Sequence, residues 1–383
     1  MHAREFSWSR STGIRLASAR DVGSPSLVLV FGARLALAHP DFLPTLRQSF
    51  PGAVLAGCST AGQFDRQRIE DDAVCGLAVS FDSARVRLAT SMIEDSNSSF
   101  PAGEAIGKAL LEDDLRAVMV LADGIRVNGS RLVNGLSAVL GPGVLVAGGL
   151  AGDGQDFGET SIIADGPARS GIAAAIGLYG KALDVSAGSA GGWDVFGPRR
   201  TITRAVDNIL YDLDGLPALD LYERYLGEEE SRNLPASALC FPLRIEDPER
   251  PGTDVVRTVL GIDRDRRAMI FAGDMPLRWT AQLMRGSFDR IVEGSAEAAR
   301  NAGASPDSED GFALLVSCIG RRLLMGQRAI DEVTAAADEI SRRHALVGFY
   351  SYGEISPHAA SGKLQLHNQT MTVLSVRERS LSG

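Results

Sequence analysis

The chain has 383 residues, of which 45% are hydrophobic and 23% charged, and this composition predicts a globular protein of two to three domains. Its formal net charge is −9 and its basic residues form only short clusters, which argues against nucleic acid as a partner. No apolar run approaches the ~18 residues that cross a bilayer, and the N-terminus lacks the apolar segment of a signal peptide. The four cysteines form no CxxC pair. We therefore expect a soluble cytoplasmic protein without membrane insertion.

The first part of the chain contains a strand, a helix and a second strand that runs into a glycine-containing turn. In chain order the predicted elements are a strand at 26–31, a helix at 41–49, a strand at 53–56, the turn GCSTAGQ at 57–63, and a hairpin of 75–81 with 85–91. The apolar run at 26–31 is typical of a strand buried on both faces. We therefore expect two parallel strands that are connected by a helix.

The same order of elements recurs in the second part of the chain. The predicted elements are a strand at 117–121, a helix at 130–140, a strand at 144–147, the turn GLAGDGQ at 149–155, and a hairpin of 171–178 with 183–187. This alignment pairs Gly57 with Gly149 and Gln63 with Gln155. Because the order and spacing persist through the hairpins, we interpret residues 20–190 as an internal duplication.

A third, partial copy closes the chain. It consists of a strand at 312–317, a helix at 329–340, a strand at 345–349, the turn in GFYSYGEI at 348–355, and a hairpin of 363–366 with 370–376. Residues 195–305 instead indicate an antiparallel meander. We predict a mixed α/β (α+β) fold with two domains, 20–197 and 198–383, built from repeated strand–helix–strand units with flanking antiparallel hairpins.

The three glycine turns are the strongest candidates for a ligand site. Turns of this kind place backbone N–H groups and small side chains at the carboxyl edge of a sheet, where ligands commonly bind. Glycine that merely relieves crowding at strand ends is the alternative. The candidate binding residues are Cys58, Ser59, Thr60, Gly62, Gly149, Asp153, Cys318, Arg321, Tyr350, Tyr352, Gly353, Glu354 and Asn368. No turn has the P-loop or dinucleotide-binding pattern, so a nucleotide is not favoured.

Two kinds of chemistry remain open for these residues. Cys58 could act as the nucleophile of a transferase, although a cysteine just past a buried strand is more often a small core residue. Glu354 could serve as an acid or base, receive the amine of a ligand, or cap its own turn. We favour binding over catalysis and predict no enzymatic activity.

Two histidines follow the third turn. His358 and His367 are the candidate axial ligands for haem, and His367 is preferred. A histidine that makes ordinary structural hydrogen bonds is the alternative for each of them. Haem is therefore one expected cofactor, and a site without any cofactor is the other expectation.

Seven motifs together resemble the FIST family, whose sensory modules contain an N-terminal and a C-terminal FIST domain. The motifs are GCSTAGQ at 57–63, AGGLAGDG at 147–154, LDGLPALDLYERYLG at 213–227, FPLRIED at 241–247, SCIGR at 317–321, GFYSYGEI at 348–355 and LHNQT at 366–370. They occur in the expected order and span nearly the whole chain.

This resemblance implies a non-catalytic cytoplasmic sensor of a small ligand. Since the motifs leave no room for an output domain, the resemblance implies action on a separate partner such as a histidine kinase in a two-component system; a homodimer is also considered. Some stand-alone relatives of the NosP type bind haem and sense nitric oxide, and amino acids are the other ligand class proposed for the family. The amino-acid version would use the Glu354 carboxylate for an amine and the turn amides for a carboxylate.

Overall fold

The computed structural model describes residues 1–16, 23–303 and 310–379, which form three six-stranded mixed sheets and a fourth sheet of nine strands. The strands before residue 191 are β1 (His2–Ser9), β2 (Gly13–Leu16), β3 (Leu27–Gly32), β4 (Val54–Ser59), β5 (Gln63–Asp65), β6 (Ile69–Glu70), β7 (Val74–Ser80), β8 (Arg85–Met92), β9 (Leu115–Ala122), β10 (Leu145–Leu150), β11 (Ile162–Ala164), β12 (Ile172–Tyr179) and β13 (Leu183–Ala190).

The fourth sheet comes next in the chain, and the remaining strands return to the first three sheets. The fourth sheet contains β14 (Trp193–Val195), β15 (Arg200–Val206), β16 (Ile209–Leu213), β17 (Leu216–Pro217), β18 (Leu243–Glu246), β19 (Val255–Arg257), β20 (Val259–Asp263), β21 (Ala268–Phe271) and β22 (Thr280–Gly286). The last strands are β23 (Gly311–Cys318), β24 (His344–Ser351), β25 (Gly353–Pro357), β26 (Leu364–His367) and β27 (Met371–Glu378).

The helices pack on the outer faces of these sheets or beside the fourth sheet. They are α1 (Arg34–Leu37), α2 (Phe42–Ser49), α3 (Ser99–Leu110), α4 (Gly129–Leu140), α5 (Ala218–Leu226), α6 (Glu228–Arg232), α7 (Phe288–Asn301), α8 (Ile319–Met325) and α9 (Ala329–Asp338), with short 3-10 turns at Ala236–Cys240 and Gly326–Arg328. Within the described ranges, every helix is too short or too polar to span a bilayer.

Each six-stranded sheet is built around one parallel pair, as the three predicted copies require. The pairs are β3 with β4, β9 with β10, and β23 with β24. All six residues of β3 and all eight of β23 are buried, because their continuous apolar sequences suit strands covered on both faces. The mixed α/β class and the repeated strand–helix–strand units are therefore confirmed.

The three sheets are interlocked by the strand that follows each parallel pair. After its glycine turn, β5 pairs with β24 of the third copy, β11 pairs with β4 of the first, and β25 pairs with β10 of the second. Each copy thus donates one strand to a neighbouring sheet in a cyclic order. The third copy is consequently part of the same three-sheet body as the first two.

The predicted hairpins are wrong as pairings, although their strands exist. β7 pairs with β1 and β3, whereas β8 pairs with β12 in another sheet. Likewise β12 and β13 lie in different sheets, as do β26 and β27. The link between β7 and β8 is held from outside by the Glu378 carboxylate, which accepts hydrogen bonds from the N–H groups of Asp82, Ser83 and Ala84 at 2.6 to 2.7 Å.

The alignment of the second copy differs by one residue from the prediction. A Cβ added to Gly57, Gly148 or Gly348 would collide with the carbonyl of the parallel strand beside it, at Val30, Val120 and Leu315 respectively. Gly57 therefore corresponds to Gly148, and not to Gly149. Glycine is required at this position because the paired backbones approach too closely for any side chain.

The fourth sheet and its helices form a separate layer with its own core, here called the inserted unit (residues 193–286). Its buried side chains include Ile202, Leu221, Ile245 and Phe271. The predicted boundary after residue 197 falls between β14 and β15, close to where the chain enters this unit. The predicted outer limits, residues 20 and 383, lie outside the described residues.

Candidate functional site

The three glycine turns meet in one hydrogen-bonded ring. The ring consists of Gly152 N–H to Ser59 O at 2.9 Å, Tyr352 N–H to Leu150 O at 3.3 Å, and Ala61 N–H to Tyr350 O at 2.8 Å. Each turn therefore donates to one neighbour and accepts from the other. The strand exchange brings together turns that are far apart in sequence.

The backbone amides of the first turn are consumed by this assembly. Besides Ala61, Ser59 N–H donates to Ser161 O at 2.8 Å and Thr60 N–H to Gly32 O at 3.2 Å. Gly62 N–H donates to the Thr60 hydroxyl at 3.2 Å. These amides hold the turns against each other and are not available for the carboxylate of a ligand. The carboxylate of a ligand at this turn therefore has to be bound by side chains.

A cavity of about 580 Å³ opens beside the first turn, and we call it the turn cavity. Thr60, Ala61 and Gly62 form one wall, and the segment that carries Arg34 and His39 after β3 forms another. The loop after the second turn, residues 153–159, closes the third side. The ends of β3 and β4 thus place the cavity at the carboxyl edge of a parallel pair, where open α/β sheets commonly bind ligands.

The turn cavity carries more acidic than basic side chains. Two acids are already paired, Glu159 with Arg34 at 3.1 Å and Asp71 with Arg322 at 2.7 Å. Asp72 and Asp156 also line the cavity, and in the described part of the chain neither forms an ion pair or a hydrogen bond. The cavity can therefore offer two carboxylates to a positively charged ligand group.

Asp153 shapes the loop that closes the cavity. Its Oδ2 accepts hydrogen bonds from Gly158 N–H at 2.8 Å and Glu159 N–H at 2.7 Å, and its Oδ1 accepts one from the Tyr352 hydroxyl. The Tyr352 ring stacks on Phe157 with 4.5 Å between ring centroids. Burial raises the pKa of Tyr352, so the phenol stays protonated and donates. Tyr352 of the third copy thereby holds the loop of residues 153–159 in place from the side opposite the cavity.

Glu354 is enclosed and does not line the turn cavity. The Ser351 hydroxyl donates to its Oε1 at 2.7 Å, while Thr370 donates to Oε2 from its N–H at 3.0 Å and from its hydroxyl at 2.9 Å. Burial raises the pKa of Glu354 to about 8 despite these donors. The carboxyl group is used within the third copy and cannot reach a ligand in the turn cavity.

Arg321 is neutralised inside the protein. It is 0% exposed and pairs with Glu332, also 0% exposed, at 2.8 Å. Its guanidinium also donates to the Ser295 hydroxyl at 2.7 Å and to the Ile291 carbonyl at 2.9 Å. The charge therefore anchors α7 and α9 beside the third parallel pair.

Three more candidate residues are core contacts. Cys58 is 0% exposed and Cys318 is 1% exposed, and burial raises the pKa of both thiols. The Ser59 hydroxyl accepts the Ser161 N–H at 2.9 Å. A buried thiol with a raised pKa is a poor nucleophile, so the geometry does not support transfer chemistry at Cys58.

The remaining turn residues pack closely. A Cβ on Gly149 would lie 2.6 Å from the Val316 side chain, and one on Gly353 would lie 3.1 Å from Leu150. Tyr350 is fully buried, and its hydroxyl donates to Ala329 O at 3.4 Å. These positions stabilise the ring and present no surface to a ligand.

His358 and His367 stack at 6.0 Å between ring centroids. The His358 Nε2 lies 2.9 Å from Asp254 O, and its Nδ1 accepts N–H groups from Ala360 and Ser361 at 3.3 Å. The His367 Nε2 lies 3.2 Å from Ser356 O, and burial lowers the pKa of His367 to about 4. Iron could bind His358, or Nε2 of His367, only if the ring gave up a backbone hydrogen bond.

Asn368 is fully buried, and among the described residues neither atom of its amide finds a hydrogen-bond partner. Its Nδ2 would lie 3.4 Å from a Cβ on Gly353. The side chain therefore lies against the third turn, and not in the turn cavity.

Among the predicted residues, Thr60, Gly62 and Asp153 line the turn cavity. Sequence reasoning missed Asp72 and Asp156. Asp72 belongs to an exposed Asp pair, a pattern that alone indicates only a solvated loop. Its proximity to residues 153–159 arises from the way the first two turns pack together.

Two family comparisons match the chain. The model of the FIST N domain matches residues 26–216, and the model of the FIST C domain matches residues 218–357. Comparison with curated proteins gives no significant match.

Proposed function

The chain belongs to the FIST family, whose domains are small-ligand sensory domains of signalling proteins, and we propose that it senses its ligand in the turn cavity. The observation that carries this proposal is the cavity of about 580 Å³, lined by Asp72 and Asp156, two acids that have no partner among the described residues. We further propose that the protein is cytoplasmic and non-catalytic. Its ligand state would control a separate partner such as a histidine kinase, either as a monomer or as a homodimer.

The charges of the turn cavity favour an amino-acid-like ligand with a positively charged side chain. Asp72 and Asp156 can accept hydrogen bonds from an amine or a guanidinium, and such charge-assisted bonds are the strong ones. Arg10 lies in the same cavity and can bind the ligand's carboxylate, whereas Arg34 is already paired with Glu159. This arrangement replaces the predicted use of Glu354 and the turn amides, both of which are occupied.

L-Arginine and L-citrulline form a matched pair of probes, because they differ mainly in the charge of the side-chain end. L-Arginine at 100 times its Kd should stabilise the protein by about 2.7 kcal/mol, measured as a shift in the urea midpoint. The double variant Asp72→Asn with Asp156→Asn should lose this shift. The double variant Asp113→Asn with Asp265→Asn changes net charge equally at exposed positions and should keep it.

Equal stabilisation by L-citrulline and L-arginine would contradict the charge argument. Loss of the shift in both double variants would mean that net charge, and not the cavity, governs binding. The signalling role has its own test, in which the chain with and without L-arginine is added to a candidate histidine kinase. A ligand-dependent change in autophosphorylation is expected.

The haem version remains a second proposal that depends on His367 and His358. Their stacked arrangement is the observation in its favour, and their backbone hydrogen bonds oppose it. A Soret band after anaerobic reconstitution that disappears in His367→Ala would support haem. The absence of any band in the wild-type protein would remove this version and leave the amino-acid-like ligand.

A further inference from the structure

A second cavity lies at the junction between the inserted unit and the three-sheet body, and we call it the junction cavity. Its volume is about 270 Å³. Ser130 and Val133 of α4 and Leu366 of β26 line it from the body, while Arg257 of β19 and Trp279 line it from the inserted unit. Junctions between packed units are common places for small-molecule sites.

Arg257 is a buried cation without a carboxylate partner in the described ranges. It is 7% exposed, and burial lowers its pKa to about 10. Its recorded acceptors are three neutral carbonyls, those of Asp274 at 3.2 Å, Val256 at 3.2 Å and Leu366 at 3.0 Å. Its Nη2 has no hydrogen-bond partner there. Burial of a charge is costly unless the charge is paired, so the guanidinium lacks the counter-charge expected at such a position.

Asp274 is the acidic residue whose charge acts on Arg257, but its carboxylate does not pair with the guanidinium. It accepts the Arg257 Nε–H through its backbone carbonyl, while its Oδ1 accepts a hydrogen bond from Asn128 at 2.8 Å. The Asn128 carboxamide in turn caps α4 by accepting the Arg131 N–H at 3.0 Å. Asp274 is thus held by the helix cap, and its carboxylate is not in contact with Arg257.

Two further polar atoms at the junction cavity are also unsatisfied. The Ser130 hydroxyl and the Gln365 Oε1 are buried without a hydrogen-bond partner among the described residues. A Cβ on Gly273 would lie 3.1 Å from the Ser130 hydroxyl and 3.0 Å from Arg257 Nε. The hydroxyl and the guanidinium therefore flank the same backbone position, and both can donate towards one anion.

We propose that the junction cavity binds a small organic anion, with its carboxylate on Arg257 and Ser130 and its apolar body among Val133, Trp279 and Leu366. A carboxylate fits better than a phosphate because Arg257 is the one cation in a lining that also contains Asp274, whose charge would repel a doubly charged phosphate more strongly. A planar carboxylate also matches the guanidinium. This site is separate from the turn cavity and does not depend on the ligand proposed there.

Binding at this position would strengthen the contact between the two parts of the molecule. Arg257 belongs to the inserted unit but donates to the Leu366 carbonyl of the three-sheet body. An anion shared by Arg257 and Ser130 would add a second bridge across the same junction. Binding of an organic acid would then change how tightly the inserted unit packs against the three-sheet body.

Isobutyrate, isobutyramide and inorganic phosphate test this site by isothermal titration calorimetry on the full chain. Isobutyrate is expected to bind saturably, and isobutyramide, which has the same shape without the charge, should bind at least about tenfold more weakly. Arg257→Gln should weaken isobutyrate binding by a similar factor. Arg199→Gln is the control, because Arg199 is an exposed arginine of the same unit and its loss should leave binding unchanged.

Ser130→Ala covers the case in which Arg257→Gln does not fold. It removes a buried hydroxyl that has no partner in the described part of the chain, so folding should be preserved while isobutyrate binding weakens a few-fold. Unchanged isobutyrate binding in a folded Ser130→Ala or Arg257→Gln protein would overturn the assignment. Tighter binding of phosphate than of isobutyrate would overturn the carboxylate class, and no saturable binding of either would overturn the site.

Discussion

The first and third glycine turns occupy equivalent places in the hydrogen-bonded ring but have different surroundings. Beside the first turn the chain leaves a cavity whose acids Asp72 and Asp156 have no partners in the described residues. Beside the third turn the carboxylates of Glu354 and Glu332 are enclosed by hydrogen-bond donors, which include Ser351, Thr370 and Arg321. Repetition of the backbone therefore fixes where a site can form, and the side chains around each turn decide whether it stays open.

Breaking the buried ion pair of Arg321 and Glu332, beside the third turn, should cause the largest loss of stability among these predictions. Glu332→Gln keeps the shape of the side chain but leaves a buried guanidinium without its counter-charge, so we expect a loss of about 3 to 5 kcal/mol in the free energy of unfolding. Urea denaturation measures this loss. The matched control is Glu339→Gln, which breaks a surface pair with Arg300 and should cost about 1 kcal/mol or less. Equal losses in both variants would contradict a special role for the buried pair.

The Glu354 carboxyl should have an intermediate effect on the free energy of unfolding, and this effect should depend on pH. Its pKa in the folded protein is about 8, against 4.5 for an ordinary carboxyl, so the native state holds a proton that the unfolded state has lost. The contribution of this group to stability is therefore fully present below pH 4.5 and is lost as the pH rises towards 8.

Glu354→Gln should remove this loss because the amide does not titrate. The unfolding free energy of the variant relative to wild type should rise by up to about 1.4 kcal/mol per pH unit between pH 5 and 8. His367, with its pKa lowered to about 4, destabilises both proteins as the pH falls from 6.5 to 4 and cancels in the difference. Parallel pH curves for the two proteins would show that Glu354 is already ionised in the fold.

The acids of the turn cavity should have the smallest effect on stability. Asp72→Asn and Asp156→Asn alter side chains that hold no described part of the fold, so each should change the unfolding free energy by less than about 0.5 kcal/mol. Urea denaturation without ligand measures this change. A loss of several kcal/mol in either variant would mean that these acids are structural, like those of the third turn.

The sequence was sufficient for the repeated units but not for their pairing. Apolar runs such as 26–31 and 312–317 predict buried strands because burial on both faces demands them. Adjacent strands joined by a short turn predict a hairpin, whereas here the strands separate into neighbouring sheets. The consecutive glycines Gly148 and Gly149 also made the alignment ambiguous, and only the close approach to the Val120 carbonyl resolves it.

The site was less predictable because its openness depends on contacts between distant parts of the chain. Glu354 and Arg321 looked available, since their partners Thr370 and Glu332 are identified only by the fold. Asp72 and Asp156 reach one cavity because the first two turns pack in the same ring. The sequence identified the three turns, and the three-dimensional arrangement was needed to show that they form a ring and which side of it remains open.

Hydrogen–deuterium exchange with saturating L-arginine tests the central distinction most directly. We predict slower exchange in residues 60–74 and 153–159, which border the turn cavity, and little change in residues 350–357 and 366–370. Slower exchange confined to those two segments of the third copy would contradict the account, because it would place the ligand where the structure is already filled.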